Sequence, residues 1–474
     1  MNELVLLMRP EMLLLVQVVF LLLFDLFAPE RARRHTDAVA CLLFLFSIII
    51  GFLPAPTGEA FGGMFSVTFM SQIVKNVLSI GLLLVFLQSR VWLSDNRTVS
   101  KRAEFYILTL STLLGMYLMI SAGHFLLFYL GLELASLPLT TLVAYNKYSD
   151  ESIEAGAKFV LVAAFSSGMM LFGISLFYGA AGADGLYFDV LRSHLSVSPM
   201  MLTALVFFLS GVAFKISIVP FHLWTADVYQ GAPTAVTAFL SVVSKGAAVF
   251  ALMFLSFRLF APLFDYWQYV IWALVVLTIT IGNLFAMRQN NMKRFLAFSS
   301  ISQAGYLLLG MIAGTPLAMS SVVYYLFVYL VSNLGIFAVV AVLENNSGKV
   351  NISDYNGLYK TNPYLSIFLM LFLFSLGGIP PFAGFFSKFF VFMAAADRGF
   401  YVLDFIALIN TVISLYYYLL VVKAMFINDN DNPIPVVHTD SWSRLCLLLC
   451  LAGTLFFGIF SGVYGFFTSG AWGI

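Results

Sequence analysis

Six lysines lie inside stretches whose other residues are typical of membrane-spanning helices, and no arginine does. A charged side chain near the centre of a bilayer costs roughly 2.5–3.5 kcal/mol on insertion scales, so such residues usually mark an ion or proton path. A buried lysine can give up its proton, whereas an arginine stays charged throughout. A row of lysines therefore indicates proton transfer. The six are Lys75, Lys158, Lys215, Lys245, Lys388 and Lys423.

The depth of a lysine in its apolar run decides whether its ammonium can reach the membrane surface. Lys215, Lys245 and Lys388 lie several residues from either end of their runs, so we predict a functional role for each. Lys75 and Lys423 each lie about one helical turn from an end, and we interpret both as surface anchors.

Lys158 is close to the start of its run, beside Glu151 and Glu154. Its position alone leaves the anchoring and functional interpretations equally open. Asp25, at the end of the first apolar run, is interpreted as interfacial.

Glu133 lies in the middle of an apolar run, with no charged residue within a turn on either side. A buried carboxylate needs a partner, and a lysine from another helix is the simplest one. Breaking such a pair would favour release of the lysine proton, so the pair is a candidate switch.

Polar residues follow the proline at position 220, among them His222 and Asp227. A histidine beside a disrupted membrane helix could relay protons, or it could hydrogen-bond the carbonyls that Pro220 frees. Both interpretations stay open. The polar run Ser299–Gln303 could hold water between charges, but hydrogen bonding between helices is the favoured interpretation.

The composition defines the class of protein. The chain has 474 residues, of which 61% are hydrophobic and 10% charged, which excludes a soluble or disordered protein. Its 24 basic and 23 acidic residues provide no basic surface for nucleic acid. The three cysteines lack metal-ligand spacing, and no phosphate-binding loop or nucleophile motif occurs. We therefore expect no cofactor or metal, and no redox or ATP chemistry, within this chain.

At about 20 apolar residues per crossing, the sequence predicts fourteen transmembrane helices in one all-α bundle. We divide the chain into helices 1–3 (residues 1–102), helices 4–8 (103–262), helices 9–13 (263–427) and a C-terminal helix 14 (428–474). The predicted helices begin near Met12, Ala38, Ser71, Ala103, His124, Gly156, Pro199, Pro233, Tyr266, Lys293, Pro316, Pro363, Phe400 and Leu445.

Basic residues outside the apolar runs are unevenly divided between the two sides. Four lie after even-numbered helices or before helix 1: Arg9, Arg192, Arg258 and Arg398. Those after odd-numbered helices are Arg31, Arg33, Arg34, Arg90, Arg97, Lys101, Arg102, Lys147, Arg288, Lys293, Arg294, Lys349, Lys360 and Arg444. Because cytoplasmic loops retain basic residues, both termini are predicted to lie outside.

A short motif occurs twice. Ile218-Val219-Pro220-Phe221 recurs as Ile379-Pro380-Pro381-Phe382, and the offset is 379 − 218 = 161 residues. Proline interrupts a helix, which a membrane tolerates only where the break is buried in protein or lines a wet cavity. The two motifs lie in helices 7 and 12, which run in opposite directions. They predict two inverted five-helix repeats, helices 4–8 and 9–13, with broken helices on the transport path.

Three segments together carry a resemblance to a known family. They are residues 214–245, residues 292–306 and residues 377–388, and their motifs are highly specific. They resemble the antiporter-like membrane subunits of bacterial respiratory complex I, over helices 4–13. Helices 1–3 match less clearly, so Lys75 and Asp25 receive no role from the resemblance.

The resemblance implies a proton-pumping module in the bacterial inner membrane, with two half-channels joined by a polar axis. By matching position, Glu133 and Lys215 would be an ion pair that Lys158 modulates. Lys245 would be the central relay and Lys388 the terminal site. A lysine at 388 fits two of the family's subunit types better than the third, which usually has glutamate there.

The partners implied are other antiporter-like subunits, small helical subunits and the lipid bilayer. NADH, FMN, iron–sulfur clusters and quinone would belong to other subunits. The main rival is a subunit of a multisubunit cation/proton antiporter, which has no redox arm. A third interpretation, a non-transporting scaffold, predicts that Lys215 and Lys388 tolerate neutral replacement.

Overall fold

The computed structural model describes residues 2–95, 98 and 101–469. Over these residues the chain is mostly helical, and eleven helical segments are long and apolar enough to cross a membrane. Two shorter apolar helices, Thr36–Gly51 and Pro363–Gly377, accompany them. The predicted multi-pass membrane protein is confirmed. Arg97, one of the basic residues used for the topology, lies outside the described part.

The described residues of the N-terminal part form five helices and one small sheet. The helices are α1 (Asn2–Leu7), α2 (Arg9–Phe27), α3 (Glu30–Arg33), α4 (Thr36–Gly51) and α5 (Phe69–Leu93). Strands β1 (Gly58–Ala60) and β2 (Phe65–Val67) pair antiparallel between α4 and α5. The sequence analysis did not predict this hairpin, because strands of three residues are too short to give a periodic pattern.

The first half of the remaining chain contains nine helices. They are α6 (Arg102–Ile120), α7 (Phe125–Leu134), α8 (Leu137–Val143), α9 (Asp150–Ala181), α10 (Phe188–His194), α11 (Pro199–Ile216), α12 (Leu223–Gly231), α13 (Thr234–Ala238) and α14 (Lys245–Arg258). A π-helical turn, Phe239–Ser244, joins α13 to α14 in one continuous buried rod.

The second half, as far as residue 469, also contains nine helices. They are α15 (Phe264–Ala286), α16 (Met292–Met311), α17 (Pro316–Ser347), α18 (Leu358–Thr361), α19 (Pro363–Gly377), α20 (Ala383–Asp397), α21 (Tyr401–Phe426), α22 (Ser441–Ile459) and α23 (Tyr464–Ser469). The rod at 234–258 and helix α17 are almost wholly buried, while only 33–39% of the membrane-length windows of α9, α15 and α21 is buried. The buried rods form the core, and the exposed apolar faces suit a lipid environment.

A helix begins within a few residues of each predicted start, but fewer satisfy the length and hydropathy expected of a full crossing. The count of fourteen crossings stays a prediction.

The first proline motif ends helix α11 as predicted. Ser217 adopts left-handed backbone angles, with φ 67° and ψ 42°, directly after Ile216. Its N–H donates to the carbonyl of Phe214 at 3.0 Å, and the N–H of Ile218 donates to that of Ala213 at 3.0 Å. These two bonds form the Schellman ending that stops a helix. Pro220 lies in the non-helical segment between α11 and α12.

The second motif ends helix α19 with the same hydrogen bonds, 161 residues later. Gly378 has φ 85°, and its N–H donates to Ser375 at 3.0 Å. The N–H of Ile379 donates to Phe374 at 3.0 Å. Each motif also contains a cis proline, Pro220 in the first and Pro381 in the second. The match in sequence is therefore also a match in backbone structure.

Close packing at the second break predicts a large effect of one methyl group. A Cβ at Gly384 would lie 1.6 Å from the carbonyl oxygen of Ser375, and that oxygen belongs to the backbone and cannot rotate away. We expect Gly384→Ala to cost more than the ~1–3 kcal/mol usual for an overpacked core. The yield of assembled protein and its melting temperature measure the effect.

The matched control is Gly179→Ala, since a Cβ at Gly179 in α9 meets no atom within 4 Å. It should leave yield and melting temperature unchanged. Equal behaviour of the two variants would contradict the packing described at Gly384.

Candidate functional site

Lys215 lies one residue before the end of α11 and is 5% exposed. Its Nζ donates to the carbonyl of Ala135 at 3.1 Å and to the hydroxyl of Ser136 at 2.7 Å. Ala135 and Ser136 separate α7 from α8, and Pro138 follows in the first turn of α8, where it supplies no N–H to the preceding turn. The ammonium therefore faces a second interruption, in the helix that carries Glu133.

The predicted ion pair between Glu133 and Lys215 is not formed. Within the described residues, no contact of 4.0 Å or less joins the two charged groups, and Oε1 of Glu133 is buried without a hydrogen-bond partner. The ammonium instead donates its hydrogen bonds to the carbonyl and the hydroxyl at the α7–α8 interruption. The sequence could not show this, because the interruption creates an acceptor from the backbone.

Lys245 is 1% exposed and begins α14 directly after the π-helical turn. Its Nζ donates to both the carbonyl and the hydroxyl of Ser300 in α16, at 3.0 and 2.9 Å. The same Nζ lies 6.0 Å from the centre of the Tyr229 ring. π-Helical turns are rare overall, and those that do occur are frequently found at functional sites.

Lys388 in α20 is 4% exposed. Its Nζ lies 3.4 Å from the carbonyl of Gly377, the last residue of α19, and 4.9 Å from the centre of the Tyr306 ring. The lysine therefore lies beside the second helix break, much as Lys215 lies beside the first. Both ammonium groups use carbonyls next to an interruption, where backbone acceptors lack helical partners.

Helix α16 connects the surroundings of Lys245 and Lys388, because it carries both Ser300 and Tyr306. Between these two, the amide of Gln303 donates to the hydroxyl of Tyr418 at 3.1 Å. Ser299 contacts the same hydroxyl at 2.6 Å. Hydrogen bonding between helices is confirmed for the Ser299–Gln303 run. The three tyrosines at 229, 306 and 418 were missed, because an aromatic residue in an apolar run gives no polar signal.

Lys158 belongs to a different cluster from Lys215. Its Nζ lies 2.6 Å from Asp227 and 2.7 Å from Glu154, and its side chain is 43% exposed. Arg294 contacts the other carboxylate oxygen of Asp227 at 2.6 Å. The three residues line a cavity of about 200 Å³. Asp227 is thus held between two cations in the middle of α12, beside this cavity.

A neighbouring cavity of about 210 Å³ is lined by Lys293, Glu344 and the Gly231–Thr234 segment. Lys293 was assigned to a basic loop, but it is 6% exposed and pairs with Glu344 at 3.0 Å. That assignment was wrong, since α16 begins before Lys293 and turns its side chain inward. Thr234 also donates to Glu344.

His222 is 9% exposed and precedes α12 without capping it. Its Nδ1 is buried and has no partner among the described residues. The carbonyl of Phe214, at the end of α11, accepts from the indole N–H of Trp224 at 3.2 Å. The relay and the carbonyl-bonding interpretations of His222 therefore both stay open.

The two predicted anchors differ. Lys423 is exposed, in agreement with an anchor. Lys75 is fully buried and contacts Glu11 of α2 at 2.5 Å, so its interpretation as an anchor was wrong. Sequence position alone suggested a shallow residue, but Glu11 of α2 and the rings of Phe65 and Tyr117 surround its ammonium. Among the described residues, no cluster of three or more His, Cys, Asp or Glu side chains could hold a metal ion.

A family model described as "NADH:quinone oxidoreductase/Mrp antiporter, TM" matches residues 122–414. This chain belongs to that family. The matched range contains both helix breaks, the three buried lysines and Glu133. The resemblance inferred from the motifs is confirmed.

Members of the NADH:quinone oxidoreductase/Mrp antiporter family resemble the chain over nearly its full length. The NADH-quinone oxidoreductase subunit N of Phocaeicola vulgatus is 55% identical over 458 residues, which is 96% of each chain. The protein of the same name from Rhodospirillum rubrum is 38% identical, over 94% of this chain and 91% of its own.

Solved structures of membrane complexes contain chains with a similar fold. A chain of respiratory complex I from Thermus thermophilus, determined with aureothin, has a TM-score of 0.83 and 31% identity, over 98% of this chain and 100% of its own. A chain of the Mrp complex from Dietzia has the same TM-score at 19% identity, over 98% of this chain and 96% of its own. That second likeness shows a common fold only.

Proposed function

We propose that the chain is a proton-translocating subunit of a bacterial NADH-quinone oxidoreductase, corresponding to subunit N. A relative that is 55% identical over 96% of both chains bears that name. The observation that carries the proposal is that Lys215, Lys245 and Lys388 are each nine-tenths or more buried, and that each donates to a backbone carbonyl.

The proton path begins at the Lys158–Asp227–Arg294 cluster. Its cavity lies at the end of α12, and α12 leads back to the first break and Lys215. Tyr229, on the same short helix, faces Lys245. The path then follows α16 from Ser300 to Tyr306 and reaches Lys388. Water between these groups would carry the protons, since buried waters bridge polar groups of this kind.

The two breaks support a pair of inverted repeats, residues 103–262 and 263–427, within fourteen crossings. Identical hydrogen bonds at a constant offset of 161 residues are expected when one structural unit occurs twice. By that offset Lys388 corresponds to Asp227, so one repeat has a basic residue where the other has an acidic one. The acidic position attracts protons at the entrance, and the basic one ends the internal path.

The direction follows from the basic loops. Loops rich in lysine and arginine stay in the cytoplasm, so we place the termini and the loop at Arg398 outside. The proposed complex places the chain in the inner membrane. Entry at Asp227 and exit beyond Lys388 then move protons outward. Quinone reduction occurs in other subunits, which would hold the NADH, FMN, iron–sulfur and quinone sites. Helical membrane subunits of the same complex would transmit its effect to Lys215.

The decisive experiment replaces Lys245 by methionine, which keeps the length of the side chain and removes the proton-carrying amine. We expect quinone-driven proton pumping to fall at least tenfold in a complex that assembles fully. Proton uptake by inverted vesicles and assembly on native gels are measured together. Lys423→Met, at an exposed lysine, is the matched control and should pump normally.

Unchanged pumping by Lys245→Met would overturn the proposed path. Copurification of a redox arm with the chain would exclude the rival, a multisubunit antiporter. Such an antiporter complex would not oxidise NADH.

A further inference from the structure

The proposed path ends at Lys388, and a buried carboxylate lies farther along the same structure. Asp404 is in the first turn of α21 and is 7% exposed. Neither of its carboxylate oxygens has a hydrogen-bond partner in the described part of the chain. It does not cap the helix either, since no described side chain does so at that end. Helix formation therefore does not explain the residue.

Asp404 lies on the face of α21 that contacts the surroundings of Lys388. Positions 404, 407 and 411 are spaced by three and four residues, so they share one side of the helix. The hydroxyl of Tyr306 donates to the carbonyl of Ala407 at 3.3 Å and accepts from Thr411 at 3.0 Å. Lys388 lies over the ring of the same tyrosine. The carboxylate is thus one turn beyond the Tyr306 contacts.

The polar contacts between α16 and α21 pair later residues of α16 with earlier residues of α21. Tyr418 meets Ser299 and Gln303, while Thr411 and Ala407 meet Tyr306. Going back along α21 toward its first turn therefore leads from the neighbourhood of Lys245 to that of Lys388, and then to Asp404. The first turn of α21 follows the loop at Arg398, on the side where basic loop residues are scarce.

An unpaired buried carboxylate is costly, so it persists only where protonation or water compensates for its charge. Both conditions suit a group that accepts and releases protons. A carboxylate that served only to pack α21 would be more stable as an asparagine or an apolar residue.

We propose that Asp404 is the proton-release group between Lys388 and the outer aqueous phase. This inference rests on the proposed function. The Lys388 ammonium gives its proton through water to the Asp404 carboxylate, which leaves a neutral amine and a carboxylic acid. The acid then releases that proton outward and returns to the carboxylate. Lys388 regains a proton from the path that contains Lys245.

The test uses the whole complex in membranes with Asp404→Asn and Asp404→Glu. We expect Asp404→Asn to lower proton uptake by inverted vesicles at least fivefold, with normal assembly, and Asp404→Glu to recover at least half. Asp265→Asn is the control, since Asp265 is exposed in the first turn of α15. It should pump normally. Infrared difference spectra during turnover should contain a carboxylic C=O band that is absent in Asp404→Asn.

Lys388→Met separates the two proposals. Loss of pumping in Lys388→Met with normal pumping in Asp404→Asn overturns the role of Asp404 alone. Normal pumping in both overturns the proposed path through the second repeat. If Asp404→Asn does not assemble, the infrared band in Asp404→Glu decides, because a band that fails to shift is not from this residue.

Discussion

Replacing Lys215 by arginine is expected to abolish proton pumping almost as completely as replacing it by methionine. Both variants should lose at least tenfold in pumping and in quinone reduction. An arginine keeps the positive charge and can still donate to the Ala135 carbonyl and the Ser136 hydroxyl, but it does not release its proton. The pair of variants therefore separates proton transfer from the electrostatic and structural effects of a buried cation.

The measurement needs three readouts on the same membranes: assembly on native gels, NADH-driven quinone reduction and proton uptake. Lys423→Arg and Lys423→Met are the controls at an exposed lysine of α21, and both should behave as the parent protein. Full pumping in Lys215→Arg would mean that Lys215 acts only as a fixed charge. Full pumping in both Lys215 variants would support the scaffold interpretation.

The contacts of Lys215 also change how the switch at this site would work. An ion pair with Glu133 would hold the lysine proton by direct contact, but the ammonium instead binds a neutral carbonyl and hydroxyl. Glu133 keeps one buried oxygen without a partner, two residues before that carbonyl. The lysine is therefore held by acceptors at the α7–α8 interruption and not by Glu133, so a switch at this site would act through the interruption.

The buried lysines could be found from sequence because a charged residue deep in an apolar run is unusual whatever the fold. Both proline breaks were predictable for a similar reason, since proline has one local effect on a helix. The partners were not predictable. Lys215, Lys245 and Lys388 all donate to backbone carbonyls. Two of these carbonyls lie where a neighbouring helix is interrupted, and the third, that of Ser300, lies inside α16. Which carbonyls a lysine reaches depends on how the helices pack.

Misassigned residues had a different cause. Lys75 and Lys293 each lie near the end of a helix, where sequence indicates access to the surface. Other helices cover both ends, so each side chain is buried and paired with a glutamate. Asp404 also lies near the start of its helix and is buried. Helix packing, which a single sequence does not give, decides whether such residues face water.

Breaking the buried pair between Lys75 and Glu11 is expected to have the largest effect on stability. The two side chains are 0% and 3% exposed, and their charged atoms lie 2.5 Å apart. Lys75→Met would leave Glu11 unpaired in an apolar site, at a cost of about 3–5 kcal/mol. Glu11→Leu would leave Lys75 unpaired at a similar cost. Because the pair joins α2 to α5, we expect both single variants to loosen the first long helix.

The double variant Lys75→Met with Glu11→Leu distinguishes this pair from a functional one. It removes both charges and fills the space with apolar atoms, which is often neutral or stabilising. Melting temperature and protease cleavage at α2 should therefore return to the parent values in the double variant, although each single variant is impaired. Effects that simply add would contradict a pair interaction.

Pumping by the double variant should also be normal. The side of α5 that faces the Lys245 region contributes Val74, Val77 and Leu78 to a small cavity whose lining is apolar, together with Gly246 next to Lys245. Apolar cavities of this kind stay dry and conduct no protons. If the double variant is stable but does not pump, Lys75 belongs to the proton path, and that path has a branch through the N-terminal helices.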